Sequence, residues 1–125
     1  MSTFEDIEEF RKSKHAQDFA DQWIAEERAG NPGGEKHVDL LVWQRFHPHQ
    51  ALGIILTLLD KGQGDDKTFE MIALGPVEEI IEMAGEAFAP FIREAADKHP
   101  LFALCTRERR QFFGWPIWSP PRPMP

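Results

Sequence analysis

The histidines of His47-Pro48-His49 are the feature of this sequence closest to a metal-binding motif. Imidazoles at i and i+2 share a face in a β-strand, but at the start of a helix the proline between them separates the rings. His37 and Asp39 are nearby in sequence, yet no third ligand stands at a diagnostic spacing and the zinc-protease pattern His-Glu-x-x-His is absent. We therefore expect no metal and no cofactor. A small metal-dependent hydrolase built around His47 and His49 is kept as an alternative.

The single cysteine, Cys105, is the other candidate for chemistry. A nucleophilic cysteine needs a base within reach of its thiol. Cys105 instead falls on the predicted inward stripe of its helix with Leu101, Leu104 and Phe112, which indicates a buried structural thiol. The sequence contains no glycine-rich phosphate loop and no Gly-x-Ser-x-Gly motif. We therefore assign no catalytic residue and no cofactor-binding residue, and we favour a protein that is not an enzyme.

An acidic face is predicted on the helix from Pro76 to Phe88. Glu78, Glu82 and Glu86 stand at i, i+4 and i+8 with no lysine between them. Neighbouring glutamates at this spacing repel each other by about a few tenths of a kcal/mol per pair. Such a face is either merely solvated surface or a docking surface for a basic partner, and we carry the docking surface forward as the functional hypothesis. Together with acids of the same helix and of the preceding loop, the predicted partner-binding residues are Asp65, Asp66, Glu78, Glu79, Glu82 and Glu86.

The C-terminal segment 114–125 contains five prolines and two tryptophans. Proline at this density prevents a helix and predicts an extended tail. Large aromatic side chains are rarely left in water, so Trp115 and Trp118 either pack onto the body as a clasp or form an exposed binding strip. Of these two arrangements we favour the clasp, and we add both tryptophans to the predicted partner-binding residues.

Composition narrows the class of protein. The chain has 125 residues and a net charge of −7, which suits one acidic domain, placed at residues 1–113. A nucleic-acid-binding protein needs a contiguous basic face, which this charge balance argues against. The longest apolar run, 51–59, is too short to cross a membrane, and the acidic start does not resemble a secretion signal. We therefore expect a cytoplasmic monomer or homodimer with no nucleic-acid or membrane partner.

Apolar residues recur at helical spacing through most of the chain. The helix that starts at Pro48 and ends near residue 59 or 60 is apolar nearly all round, which is typical of a central helix. Segment 38–46 is compatible with a buried strand or a helix, and we favour a helix because its neighbours are helical. The residues expected to form the core are Leu52, Ile55, Leu56, Ile80, Ile81 and Ala84.

Helix boundaries are predicted from single residues. A break is expected between residues 12 and 14, Asp66 is expected to cap a short helix, and Pro76, Pro90 and Pro100 are each expected to open one. Short helices joined by short turns form antiparallel hairpins. The predicted fold class is therefore all-α, built from such hairpins as either a small HEAT-like solenoid or a compact irregular bundle.

A set of core residues and helix starts is distributed between about residues 19 and 112. It comprises Phe19-Ala20-Asp21-Gln22-Trp23-Ile24, Trp43, Pro48, the segment from Leu74 to Ile81, Gly85 and the segment from Ala95 to Phe102. With these residues the chain resembles a bacterial family of small, acidic, all-helical proteins described only as a domain of unknown function. The resemblance implies an all-helical bacterial domain and no functional residue.

These features favour a non-enzymatic protein that binds another protein. The form we expect is an inhibitor, such as an immunity protein that neutralises a cationic toxin or nuclease through its acidic helix face. Two alternatives remain at this stage. One is the hydrolase around His47 and His49, and the other is a structural subunit that buries apolar surface by self-association.

Overall fold

The structure is a computed structural model that describes residues 3–30 and 35–113, without the side chains of residues 84, 85 and 107–113. Within this part of the chain there are seven α-helices, a π-helical segment and no strand, which confirms the all-α fold class. The helices are α1 (Phe4–Arg11), α2 (Lys14–Arg28), α3 (Glu35–Phe46), α4 (Pro48–Lys61), α5 (Asp66–Ile72), α6 (Glu78–Lys98) and α7 (Pro100–Phe113), and the π-helical segment Ala73–Val77 joins α5 to α6.

Short polar side chains set the starts of three helices. The Thr3 hydroxyl accepts from the backbone N–H of Asp6, and the Asp6 carboxylate accepts from the N–H of Thr3, which forms a capping box at the start of α1. Ser13 caps α2 and marks the break that the sequence predicts between residues 12 and 14. The cap of α5 is Asp65, whose carboxylate accepts from the N–H of Thr68, so the prediction of Asp66 was wrong by one residue.

Helix α4 is the centre of the fold. Every residue from Ala51 to Leu59 is buried, and the helix contacts each of the other six. Helix α1 approaches α4 closely at Gly53, which has no Cβ: one built there would lie 3.1 Å from Phe10 Cδ2 and 3.3 Å from the Ile7 carbonyl oxygen. Units of a solenoid contact only their neighbours, so this arrangement is the irregular bundle of the two predicted forms.

Two of the prolines predicted to open helices lie inside helical segments instead. Pro100 does open α7, but Pro76 is in the π-helical segment and Pro90 is in the middle of α6. Proline lacks the N–H of an ordinary α-helical turn, and a widened π turn is one way for a helix to pass such a position. The backbone therefore follows a continuous helical path from Asp66 to Lys98, where the sequence predicted three separate helices.

The predicted core is confirmed where the structure describes it. Leu52, Ile55, Leu56, Ile80 and Ile81 are all buried, whereas the side chain of Ala84 lies outside the described residues.

The environment of Cys105 matches its prediction only in part. Cys105 is buried, but Leu104 beside it is exposed, so the prediction of an inward Leu104 was wrong. The side chain of Phe112 and the tail with Trp115 and Trp118 lie outside the described residues. No helix in the described ranges is both long enough and apolar enough to span a membrane.

Replacing Leu56 with alanine tests the central position of α4. Leu56 is fully enclosed, so Leu56→Ala leaves a cavity and should lower the free energy of unfolding by about 2–5 kcal/mol. Leu74→Ala is the matched control, because the Leu74 side chain is largely exposed and its loss should change stability by less than about 0.5 kcal/mol. Urea denaturation followed by circular dichroism measures both. Equal effects of the two substitutions would contradict the assignment of α4 as the core helix.

Candidate functional site

The six acids predicted to bind a partner differ in their exposure to solvent. Asp66, Glu82 and Glu86 are exposed, while Asp65, Glu78 and Glu79 are half-buried. The exposed Glu82 and Glu86 are one turn apart on α6, as the predicted spacing requires.

Asp65 takes part in internal contacts. It accepts hydrogen bonds from the Thr68 hydroxyl at 2.8 Å and from Arg28 Nη2 at 2.9 Å, in addition to its contact with the Thr68 N–H. The hydrogen bonds from Thr68, helped by Arg28, hold the pKa of the Asp65 carboxyl below its usual value. Asp65 therefore stabilises the start of α5 and ties it to α2.

Glu79 turns from α6 towards α3. Its Oε2 lies 3.6 Å from His37 Nε2. Burial raises the pKa of the Glu79 carboxyl, and the nearby His37 offsets part of that effect. Gln44 is buried on α3, and neither its amide nitrogen nor its amide oxygen forms a hydrogen bond with a described residue. The contacts of Glu79 thus link α6 to α3.

His37 lies between two carboxylates from different helices. Its Nδ1 is 3.8 Å from Glu27 Oε1 on α2, and its Nε2 faces Glu79 on α6. The carboxylates are on opposite ring nitrogens, so one metal ion cannot be bound by all three side chains. Nowhere in the described ranges are three or more His, Cys, Asp or Glu side chains grouped in a way that could hold a metal ion.

The structure does not bring His47 and His49 together. The exposed His47 packs edge-on against Trp43 of α3, with ring centroids 6.4 Å apart. His49 packs edge-on against Phe88 and Phe91 of α6, at 5.1 and 4.5 Å, and burial lowers its pKa.

The nearby candidates also have other contacts. His37 is directed towards Glu27 and Glu79. Asp39 Oδ2 lies 3.8 Å from Nζ of Lys36, in the preceding turn of α3. The imidazoles proposed for a hydrolase therefore contact separate elements.

An open cleft lies between α2, the start of α3, α5 and the π-helical segment. Its volume is about 690 Å³. Its inner side chains are Trp23 and Glu27 from α2 and His37 from α3. Trp23 is buried, and its Nε1–H has no acceptor among the described residues. The Glu27 side chain is only 9% exposed, so this carboxylate is placed deep beside the cleft.

The outer wall of the cleft comes from one continuous stretch of helix. Lys67, Glu70 and Met71 of α5 line it, followed by Leu74 and Gly75 of the π-helical segment. π turns inside helices occur frequently at functional sites. Sequence reasoning missed the cleft because its residues come from segments far apart in the chain. The one local signal was Gly75-Pro76 within a helical pattern.

Helix α3 presents apolar residues to solvent. Val38, Val42 and Phe46 are 50%, 49% and 67% exposed and follow one another at intervals of four residues, so they form a single stripe. Leu40 and Gln44 face the interior instead. This exposed stripe is the largest departure from the predicted segregation of apolar and polar residues.

No protein-family model, no curated protein and no solved structure matches this chain. The resemblance to a domain of unknown function therefore stays a prediction.

The pH dependence of stability tests the environment of Glu79. Because folding raises its pKa, this carboxyl contributes stability that is present at low pH and is lost as the pH rises through its folded-state pKa. Glu79→Gln stays uncharged, so the variant should lose less stability than the wild type between about pH 4 and pH 7.

Urea denaturation across this range measures the effect. Glu86→Gln is the control for removing one charge from an exposed position of α6. If the stability of the wild type and that of Glu79→Gln changed with pH in parallel, burial would not raise the pKa of Glu79.

Proposed function

We propose that this protein acts by binding another protein that has a basic surface, and that it catalyses no reaction. The observation that carries the proposal is the exposed apolar stripe of Val38, Val42 and Phe46 on α3. Helix α3 packs against α6, which carries the predicted acidic face. The concrete form we favour is an inhibitor, such as an immunity protein that covers the working surface of a cationic toxin or nuclease.

The apolar stripe supports a protein interface. Of the six exposed large apolar side chains in the described ranges, three lie on this one face of α3. Contiguous exposed apolar residues rimmed by polar ones are characteristic of interaction sites. A partner that covers the stripe removes about half of each valine side chain and most of Phe46 from water. Such burial contributes affinity and slows dissociation.

The charge on α6 supports a basic partner. Glu82 and Glu86 are exposed, and the exposed Met83 lies in the same stretch of the helix. The whole chain carries a net charge of −7. Exposed acids on a helix that packs against α3 attract a cationic protein during encounter and disfavour acidic competitors.

The inhibitor form follows from what this surface offers. A toxin or nuclease that acts on a polyanion must have a basic active face, and an acidic protein of this size can cover it. Inhibition would then be steric and electrostatic, because the acids of α6 steer the approach and the apolar stripe provides the anchor.

Neutralising the acidic face tests the proposed function. The partner is first recovered by affinity capture from an extract of the source cells and purified, and binding of the two proteins is then measured at two salt concentrations. The variant Glu78→Gln/Glu82→Gln/Glu86→Gln should bind more weakly, mainly through slower association. Its association rate should also respond less to salt, because salt screens exposed charges beyond about 10 Å at 0.1 M.

A matched control removes three exposed acids on another part of the surface. Glu5→Gln/Glu9→Gln/Asp97→Asn changes the net charge by the same amount on α1 and at the end of α6. It should retain the affinity of the wild type. Phe46→Ser should instead speed dissociation. Equal affinities and equal salt dependence for the triple variant and the control would overturn docking through the acidic face.

A further inference from the structure

We infer that the cleft between α2, α5 and the π-helical segment is a binding site for an aliphatic cation, namely the side chain of a lysine or arginine that the partner inserts. The identity of the partner rests on the proposed function, whereas the chemistry of the site rests on the side chains that line it. The site is thus a specificity pocket beside the acidic face, and it selects a basic anchor residue.

Glu27 provides the charge that a cation would meet. Its side chain is nine-tenths buried and lines the cleft. Within the described ranges its one ion-pair partner within 4 Å is the imidazole of His37, whose Nδ1 is 3.8 Å from Glu27 Oε1, beyond hydrogen-bond distance. No hydrogen bond from a described residue reaches the carboxylate oxygens. A desolvated carboxylate with no donor is costly, and an ammonium or guanidinium group supplies the donors that it lacks.

Trp23 also lines the cleft, although it is only 1% exposed. It therefore gives the site an apolar base, and its buried ring and Nε1–H are not open to an inserted residue. The volume of about 690 Å³ admits a long side chain together with its main chain.

The walls of the cleft match the aliphatic part of lysine and arginine. Met71 is half-buried and Leu74 is 56% exposed, and both line the cleft. The methylene groups of a basic side chain can lie along such surfaces while its charged end reaches deeper. Gly75 leaves the entrance open, because a Cβ built there would meet no atom within 4 Å.

Among the described lining residues, Lys67 opposes a cation, and so does His37 whenever its ring is protonated. Lys67 is exposed, so water screens its charge more effectively than that of the buried Glu27 carboxylate. Glu70, which is also exposed, carries the opposite charge. These charges predict opposite effects for two substitutions that each remove one charge. Glu27→Gln should weaken cation binding, and Lys67→Gln should strengthen it.

Small probes test the site without the partner. The probes are Nα-acetyl-lysine amide, Nα-acetyl-arginine amide and the uncharged analogue Nα-acetyl-norleucine amide. Binding to the whole protein is followed by NMR through the indole N–H signal of Trp23, which Trp23→Phe identifies. The two cationic probes should shift this signal saturably, and norleucine should bind about tenfold more weakly or not at all.

Substitutions in the lining distinguish the contribution of charge to probe binding from the contribution of the shape of the cleft. Glu27→Gln should weaken the cationic probes about tenfold, Lys67→Gln should tighten them a few-fold, and Glu9→Gln, an exposed acid on α1, should change nothing. Gly75→Phe fills the entrance and should block all probes while it preserves every charge. Circular dichroism confirms that each variant is folded. No saturable shift, or equal affinity for lysine and norleucine probes, would overturn the inference.

The same variants distinguish the site from the proposed function. If the partner binds wild type and Glu27→Gln equally but loses affinity for Glu78→Gln/Glu82→Gln/Glu86→Gln, the proposed function holds and the cation site is refuted. If the cationic probes bind through Glu27 but the triple and control variants bind the partner equally, the cation site holds and docking through the acidic face is refuted.

Discussion

The fold depends on the need to enclose a helix that has no polar side. Nine consecutive residues of α4, from Ala51 to Leu59, are buried, and water can be excluded from such a helix only by neighbours on every side. The other six helices provide those neighbours, and α1 comes especially close at Gly53. This requirement explains why the chain forms a bundle around one helix, since a row of stacked hairpins would leave one side of α4 in water.

The enclosure of α4 also explains what is left on the surface. Helix α3 covers part of α4 with one side, which carries Leu40 and Gln44, and packs on α2 and α6 with its flanks. Its third side is exposed to solvent, although the residues on it, Val38, Val42 and Phe46, are apolar. Among the described residues, this apolar stripe is not used by the core, and we propose that a second protein binds it. The proposed interface is therefore a direct consequence of how α3 is oriented around α4.

The cleft has a related origin in the path from α5 to α6. Continuous helical structure passes Pro76 through a π turn, so Leu74 and Gly75 become part of a wall that faces α2 and the start of α3. Across this space lie Trp23 and the buried Glu27. The acidic face of α6 and this cleft are thus joined by one stretch of backbone, which suits a partner that contacts both.

The sequence alone determined the features that depend on local spacing. Apolar residues at helical intervals specified the helices, the all-round apolar character of 51–59 specified the central one, and Ser13 specified the break between α1 and α2. Only the tertiary structure decided which side of α3 faces water, that Asp65 and Glu79 turn to internal partners, and that Glu27 meets Leu74 across a cleft. The physical reason is the distance along the sequence between the residues that determine each feature. Helical periodicity and capping involve residues up to four positions apart, whereas the orientation of a helix and the assembly of a cleft depend on packing between residues tens of positions apart.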